Sequence, residues 1–256
     1  MLQDLLALNV FHFLLVFSRL SVVFVLFPGI SAGYVPVRIR LVAALMVTLV
    51  AMPLVRDKLP PQPSGAADLV WLVVEEFLIG GFLGALVQTV MSALQLAGEV
   101  ISTASGLTNA LVDDPVTQEQ SAIVIGLLDL VAVVMIFITG AHHLLLMAAV
   151  DSYNLLKAGG PLFSGDMLSM TSSLITESFA MGVRLAAPFL VFQIVFQVTS
   201  GILARLSPQL NVFFVAMPAQ IALGLAILMI TLPTMMLVFL RFFDNSLRTV
   251  IGPVSP

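Results

Sequence analysis

Apolar residues along the chain gather into runs separated by short polar stretches rich in Pro, Gly or charge. A helix that crosses a bilayer needs about 20 apolar residues. Runs of that order predict helices over roughly 8–28, 39–55, 69–92, 121–141, 172–200 and 211–240. A shorter, more polar stretch at about 93–106 reads as a re-entrant or interfacial helix. The last two main runs exceed one span and contain Pro188, Pro218 and Pro233. Proline removes a backbone donor and clashes with the preceding turn, so kinks or breaks are expected there. Pro28, Pro36 and Pro53 punctuate the first two runs. Arg56–Gly65 (RDKLPPQPSG) and Lys157–Gly165 (KAGGPLFSG) read as loops.

Composition turns this pattern into a membrane protein. The 256 residues are 60% hydrophobic and 9% charged, against about a quarter charged in a soluble domain. So much apolar surface must meet lipid or other apolar protein. No linker divides the chain, and there is no internal repeat. The run from Leu5 to Phe27 is too long for a signal-peptide core, and no positive charge precedes it. It is expected to be a helix of the mature protein. The net charge of −4 gives no sign of nucleic-acid binding, and the absence of cysteine excludes disulfides, thiolate nucleophiles and Cys-ligated metals.

Charge placement is less orderly. Lys and Arg in short loops normally set orientation. Here Arg38 and Arg40 mark the first loop, Arg56 and Lys58 mark the second, and 93–120 has neither residue type. Simple alternation puts positive charge on both sides, as if partner subunits rather than the bilayer positioned the helices. Arg19, Glu75, Glu76, Glu99, Asp129, Glu177 and Arg184 lie inside apolar segments. Each would cost about 2.5–3.5 kcal/mol at a bilayer centre, so they must face water, lie near an interface or pair inside protein. The plainer reading is helix packing and partner contact; the sharper one is a polar conduit. Glu177 and Arg184 share a helix face, but a rise of about 10 Å between them is too long for a direct bond.

Candidate chemistry is sparse. There is no GxxxxGK[ST], HExxH or GxSxG. Adjacent His142 and His143 point about 100° apart on a helix, a poor chelating arrangement. Asp113 and Asp114 precede Pro115 and read as a turn or helix start. The thirteen methionines are dispersed, in keeping with adaptable apolar packing. No cofactor, metal or catalytic residue is expected. Gly80 and Gly84 (LIGGFLGALVQ) form a GxxxG pair, which favours close helix packing over a ligand role. The segment Gly106–Gln120 (GLTNALVDDPVTQEQ) is the most polar long stretch between apolar runs. Non-helical backbone at membrane depth is tolerated only when buried in protein or lining water. A compact loop folded into a lumen and a plain surface loop both fit.

Specific strings then carry a resemblance. Arg205–Pro218 (RLSPQLNVFFVAMP) resembles the R…PQ-x-NVF…P signature of the FliR/SctT family of flagellar and type III secretion export-gate proteins. Pro28-Gly29 with VPVRIR (Val35–Arg40) is similar to that family's first loop. EEFLIGGFLG (Glu75–Gly84), QLAGEVIS (Gln95–Ser102), DDP (Asp113–Pro115) and GAHHLLL (Gly140–Leu146) follow in the family's order along nearly the whole chain. Ala216 stands where many relatives have Gly.

The resemblance implies an all-α membrane protein of tilted, proline-broken helical hairpins assembled with partner subunits. It implies a FliP-like part over about 1–200 and a FliQ-like hairpin over about 201–256. The implied role is non-enzymatic: with FliP- and FliQ-type partners, such a chain forms the pore for unfolded flagellar proteins in the bacterial inner membrane, at the basal body. FlhA- and FlhB-type export proteins are implied as further partners. The family's pore plug maps onto Gly106, Asn109, Asp113, Asp114, Pro115 and Gln120, and Arg205, Pro208, Gln209 and Asn211 map onto a partner-docking turn. Injectisome use is the nearest alternative. A small-solute secondary transporter would also suit broken helices and internal charges, but lacks its inverted repeat here. An intramembrane enzyme built on His142 or His143 with Asp151 lacks a recognisable nucleophile.

Overall fold

The computed structural model describes residues 2–30, 35–107, 111–113, 120–160, 165–207, 209 and 212–251. Among the described residues, seven α-helices run in order: α1 (Leu2–Leu26), α2 (Val37–Val55), α3 (Ala66–Ala104), α4 (Ile123–Ile138), α5 (Ala141–Leu155), α6 (Gly165–Leu206) and α7 (Val212–Ile251), with a 3₁₀ turn at Arg56–Lys58 after α2. A three-residue antiparallel ribbon, β1 (Leu111–Asp113) with β2 (Gln120–Ala122), lies between α3 and α4. Among the described residues, α2 with its short 3₁₀ extension, α3, α6 and α7 are each long and apolar enough to cross a membrane; α4 and α5 reach that length only as a pair, bent by 79° where they meet. The chain is an all-helical membrane protein apart from the ribbon.

Three expectations need correction. The stretch 93–106 is not a separate helix, because α3 runs unbroken to Ala104. Between Ala93 and Ala104 the one glycine is Gly98, and a single glycine costs too little to end a long helix. The prolines do not break helices either: Pro53, Pro188, Pro218 and Pro233 all lie inside continuous ones. Each deletes one hydrogen bond, and the remaining ladder carries on. The break falls instead at Thr139–Gly140, where Gly140 takes a left-handed φ of 76° and its carbonyl accepts from the His143 amide that opens α5. Arg38 and Arg40 sit within the first turn of α2 rather than in a loop. Pro36 precedes them with ψ at 141°, and its carbonyl accepts from the amides of Ile39 and Arg40.

The chain divides into two compact units. The first comprises 1–90, 137–174 and 244–256; the second comprises 91–136 and 175–243. The core of the first is a cluster of Val16, Leu20 and Val23 from α1, Ala51 and Val55 from α2, Ile79 and Leu83 from α3, and Ala149 and Tyr153 from α5. His12 Nε2 lies 3.1 Å from the Pro60 carbonyl and pins the loop after α2 to α1. Glycines let α1 and α3 approach closely. A Cβ at Gly80 would fall on the Arg19 carbonyl, and one at Gly84 would lie 2.6 Å from the Leu26 Cβ.

The second unit is built around the C-terminal part of α3. Three helices meet that segment through glycine: Gly98 faces α4, where a Cβ would lie 2.9 Å from the Ile125 Cα; Gly182 of α6 faces the Ala93 carbonyl at 2.8 Å; and Gly224 of α7 faces the Ser105 Cβ at 2.6 Å. Small residues permit such approaches, and dispersion then holds helices together where lipid removes any hydrophobic drive. Beyond Phe189, no residue of α6 is buried up to Leu206, and none of the described α7 side chains is buried before Gly224. Val191, Ile194, Val195 and Val198 are among the apolar side chains left exposed there.

Candidate functional site

The C-terminus of α3 is where the polar segment singled out from the sequence begins. Gly106 has φ 73°. Its amide donates to the Thr103 carbonyl at 3.2 Å, and the Leu107 amide donates to the Ser102 carbonyl at 2.8 Å. This pair of bonds around a left-handed glycine is a Schellman cap. Any L side chain at Gly106 would be strained. The cap leaves helix-end carbonyls open, and α7 supplies a donor: Gln220 Nε2 donates to the Ala104 carbonyl at 2.8 Å. The Gln220 side chain also lies 3.6–3.7 Å from where a Gly106 Cβ would stand. One turn further along α7, Gly224 lies under Ser105, which is 1% exposed. Gln220 and Gly224 together form a seat for the end of α3.

The ribbon follows this cap. Leu111 pairs with Ala122, Val112 with Ser121, and Asp113 with Gln120. Asp113 is therefore on a strand rather than in a turn or helix start, and the segment has a short ladder of its own. The reason is pairing: antiparallel strands satisfy backbone groups that a non-helical segment would otherwise leave open. Asn109, Asp114 and Pro115 lie outside the described residues. Of the residues mapped to a docking turn, Arg205 is exposed at the end of α6 and Gln209 is exposed in the connection to α7. Pro208 and Asn211 lie outside the described residues.

The charges inside apolar segments separate into two groups. Arg19 and Glu76 are both fully buried and form a bidentate pair, Nε to Oε2 at 2.7 Å and Nη2 to Oε1 at 2.9 Å. Arg19 Nη1 donates to Ser152 Oγ at 3.1 Å and Nη2 to the Leu156 carbonyl at 3.0 Å. The guanidinium also sits 3.8 Å from the centroid of the Tyr153 ring. One arginine thus ties α1 to α3 and α5. Its planar fork suits this role, where a lysine would not. Glu75 is buried beside the pair. By contrast, Glu99, Glu177 and Arg184 of the second unit are exposed, and among the described residues Glu177 and Arg184 form no ion pair. Asp129 is buried.

The sequence did not expose Gln220, Ser152 or Tyr153. Polar side chains on a helix give no signal of a partner more than a hundred residues away. The adjacent histidines come closer than helix geometry alone suggested: their ring centroids are 4.0 Å apart, and His142 stacks on Phe137 at 5.0 Å. Among the described residues, no group of three His, Cys, Asp or Glu is placed to hold a metal.

Fold and site together define a polytopic helical membrane protein whose polar groups hold helices to one another. Comparison with known proteins gives the family. Residues 10–246 match the family described as bacterial export proteins, family 1. The flagellar biosynthetic protein FliR of Caulobacter vibrioides is 34% identical over 226 residues, covering 88% of this chain and 90% of that one. FliR of Escherichia coli K12 is 30% identical over 80% of this chain and 78% of its own length. The Yop proteins translocation protein T of Yersinia pestis is 26% identical over 100% of this chain and 97% of its own. The chain belongs to the bacterial export proteins, family 1.

Proposed function

We propose that this chain is a subunit of a flagellar type III protein-export gate. On this reading it forms, with FliP- and FliQ-type subunits, the pore through which unfolded flagellar proteins leave the cell. The observation that carries the proposal is likeness along almost the entire chain to flagellar biosynthetic proteins named FliR, at up to 34% identity among those described above. The long unburied stretch of α6 and the first turns of α7 support an assembled state, because apolar faces of that length suit neighbouring helices. In this reading residues 1–200 are the FliP-like part and 201–256 the FliQ-like hairpin, with Arg205, Pro208, Gln209 and Asn211 in a partner-docking turn. The complex sits in the bacterial inner membrane at the basal body, near FlhA- and FlhB-type proteins. The role is structural and conductive, with no catalytic step.

The segment Gly106–Gln120 is proposed to restrain the closed pore. A closed gate must hold ions back against the membrane potential, about 2.3 kcal/mol per charge per 100 mV. A capped helix end followed by a three-residue ribbon is small enough to pack in a lumen and weak enough to be displaced. The test of the function is deletion of the gene in its own bacterium. Flagellar proteins should then accumulate inside the cell and motility should stop, with both restored by a plasmid copy. Unaltered export from the deletion strain would overturn the proposal. Likeness to a Yop translocation protein over the whole chain favours injectisome use as the second reading; loss of effector secretion with normal motility would select it.

A further inference from the structure

The end of α3 is held by a side chain that the pore reading does not use. We infer that Gln220, with Gly224 one turn beyond it, is the positioning element that seats the root of the restraining segment. The inference rests on the proposed role of that segment and adds the residue that places it. Helix ends normally leave carbonyls that need a partner. The Schellman bonds use the carbonyls of Ser102 and Thr103, and Gln220 takes that of Ala104 at 2.8 Å. Gly224 leaves room on α7 for the Ser105 side chain, which packs directly against the α7 backbone. Gly106 then turns the chain away with its left-handed φ, with Gln220 packed against it. Among the described residues, the hydrogen bonds at the end of α3 thus come from the cap itself and from Gln220 of α7.

Pro218 lies two residues before Gln220 and deletes one hydrogen bond of α7 next to the seat.

The test uses the assembled complex carrying Gln220→Leu, Gln220→Glu or Gln220→Lys. Leu keeps the bulk and removes the donor; Glu removes it only where its carboxyl is ionised, so the Glu variant is read at high pH; Lys restores a donor. Two quantities are read: hydrogen exchange of the Gly106 and Leu107 amides, and small-solute uptake by cells expressing the complex. A variant with Gly106–Gln120 shortened serves as the reference for an unsealed pore. We expect exchange up to about tenfold faster in the Leu variant, and in the Glu variant at high pH, roughly the factor from one lost part-buried hydrogen bond. Uptake should rise toward the reference, and the Lys variant should stay near the parent in both. Unchanged exchange in the Leu variant of an assembled complex would overturn the seat. Faster exchange without uptake, in a complex that the shortened segment does unseal, would overturn its positioning role. If the shortened segment fails to unseal the pore, the restraint reading fails, and the exchange measurement alone then decides whether Gln220 seats the cap.

Discussion

The two units each end a helix on the same device. In the first, Gly84 of α3 lies against Leu26, and Gln88 one turn later donates to the Leu26 carbonyl at 2.7 Å. In the second, Gly224 of α7 lies against Ser105, and Gln220 one turn earlier donates to the Ala104 carbonyl at 2.8 Å. The glycine brings a backbone close and the glutamine satisfies a carbonyl that the ending helix leaves open. What stands behind each seat differs. In the first unit Arg19, two turns before Leu26, locks α1 to Glu76, Ser152 and Leu156. In the second, the end of α3 rests on glycine contacts, a Schellman cap and one glutamine. Among the described residues, the same local chemistry is therefore backed by a buried ion pair in one unit and by a helix cap alone in the other; we propose that the first joint is fixed and the second releasable.

The strongest way to break this contrast is to remove the lock. Glu76→Ala strands a fully buried guanidinium, and losing one partner of a buried pair costs about 3–5 kcal/mol. The variant should fail to accumulate in the membrane, as read by its steady-state amount. The double change Arg19→Met with Glu76→Leu should recover part of that loss, because neither charge of the pair is left without the other, although the Leu156 carbonyl loses its donor. Normal accumulation of the single variant would mean that the first unit does not depend on the pair.

Smaller effects sharpen the packing side. Gly80→Leu drives a side chain into the α1 backbone and should cost about 1–3 kcal/mol in the melting of the purified complex. Gly126→Ala is its control, since nothing lies within 4 Å of a Cβ there; it should be neutral or gain up to about 1 kcal/mol through helix propensity. The two seats can be compared directly. Gln88→Leu should weaken the complex by about 0.5–1.5 kcal/mol, the net worth of one part-buried hydrogen bond, yet leave small-solute uptake unchanged, whereas Gln220→Leu should raise it. Equal leakage from both would erase the distinction between fixed and releasable joints. At the bottom of the scale, Arg248→Ala loses only an exposed i,i+4 bond to Asp244 at 2.8 Å and should shift the melt by no more than about 0.5 kcal/mol.

Much of the fold was legible because a membrane helix must be apolar along its whole length. The runs at roughly 39–55 and 121–141 became Val37–Val55 and Ile123–Ile138, within a few residues. What was not legible followed from long-range packing. Helix α5 carries two histidines, Asp151, Ser152, Tyr153 and Asn154, so it did not stand out as an apolar run. Its Ser152 and Tyr153 are polar because they face Arg19. The residues 93–104 looked like a separate element because Gln95, Glu99 and Ser102 dilute the apolar pattern, but the Ser102 hydroxyl turns back onto the Gly98 carbonyl at 2.7 Å and the helix continues. Arg19 and Glu76 could be singled out as internal charges, but not as a pair 57 residues apart. Gly106 was visible as a punctuating glycine, while Gln220, which holds its helix end, looked like any polar residue on a long helix.

The central claim is that this chain works as one member of a larger export gate, with α6 beyond Phe189 and the start of α7 covered by other subunits. The most direct measurement is purification of the tagged chain from its own bacterium in mild detergent, with identification of the chains that come with it and the mass of the intact particle. FliP- and FliQ-type chains should come with it in one stable particle much heavier than 27.4 kDa, and this chain should accumulate poorly when those partners are deleted. A monodisperse, well-folded particle containing this chain alone, obtained equally well without them, would contradict it.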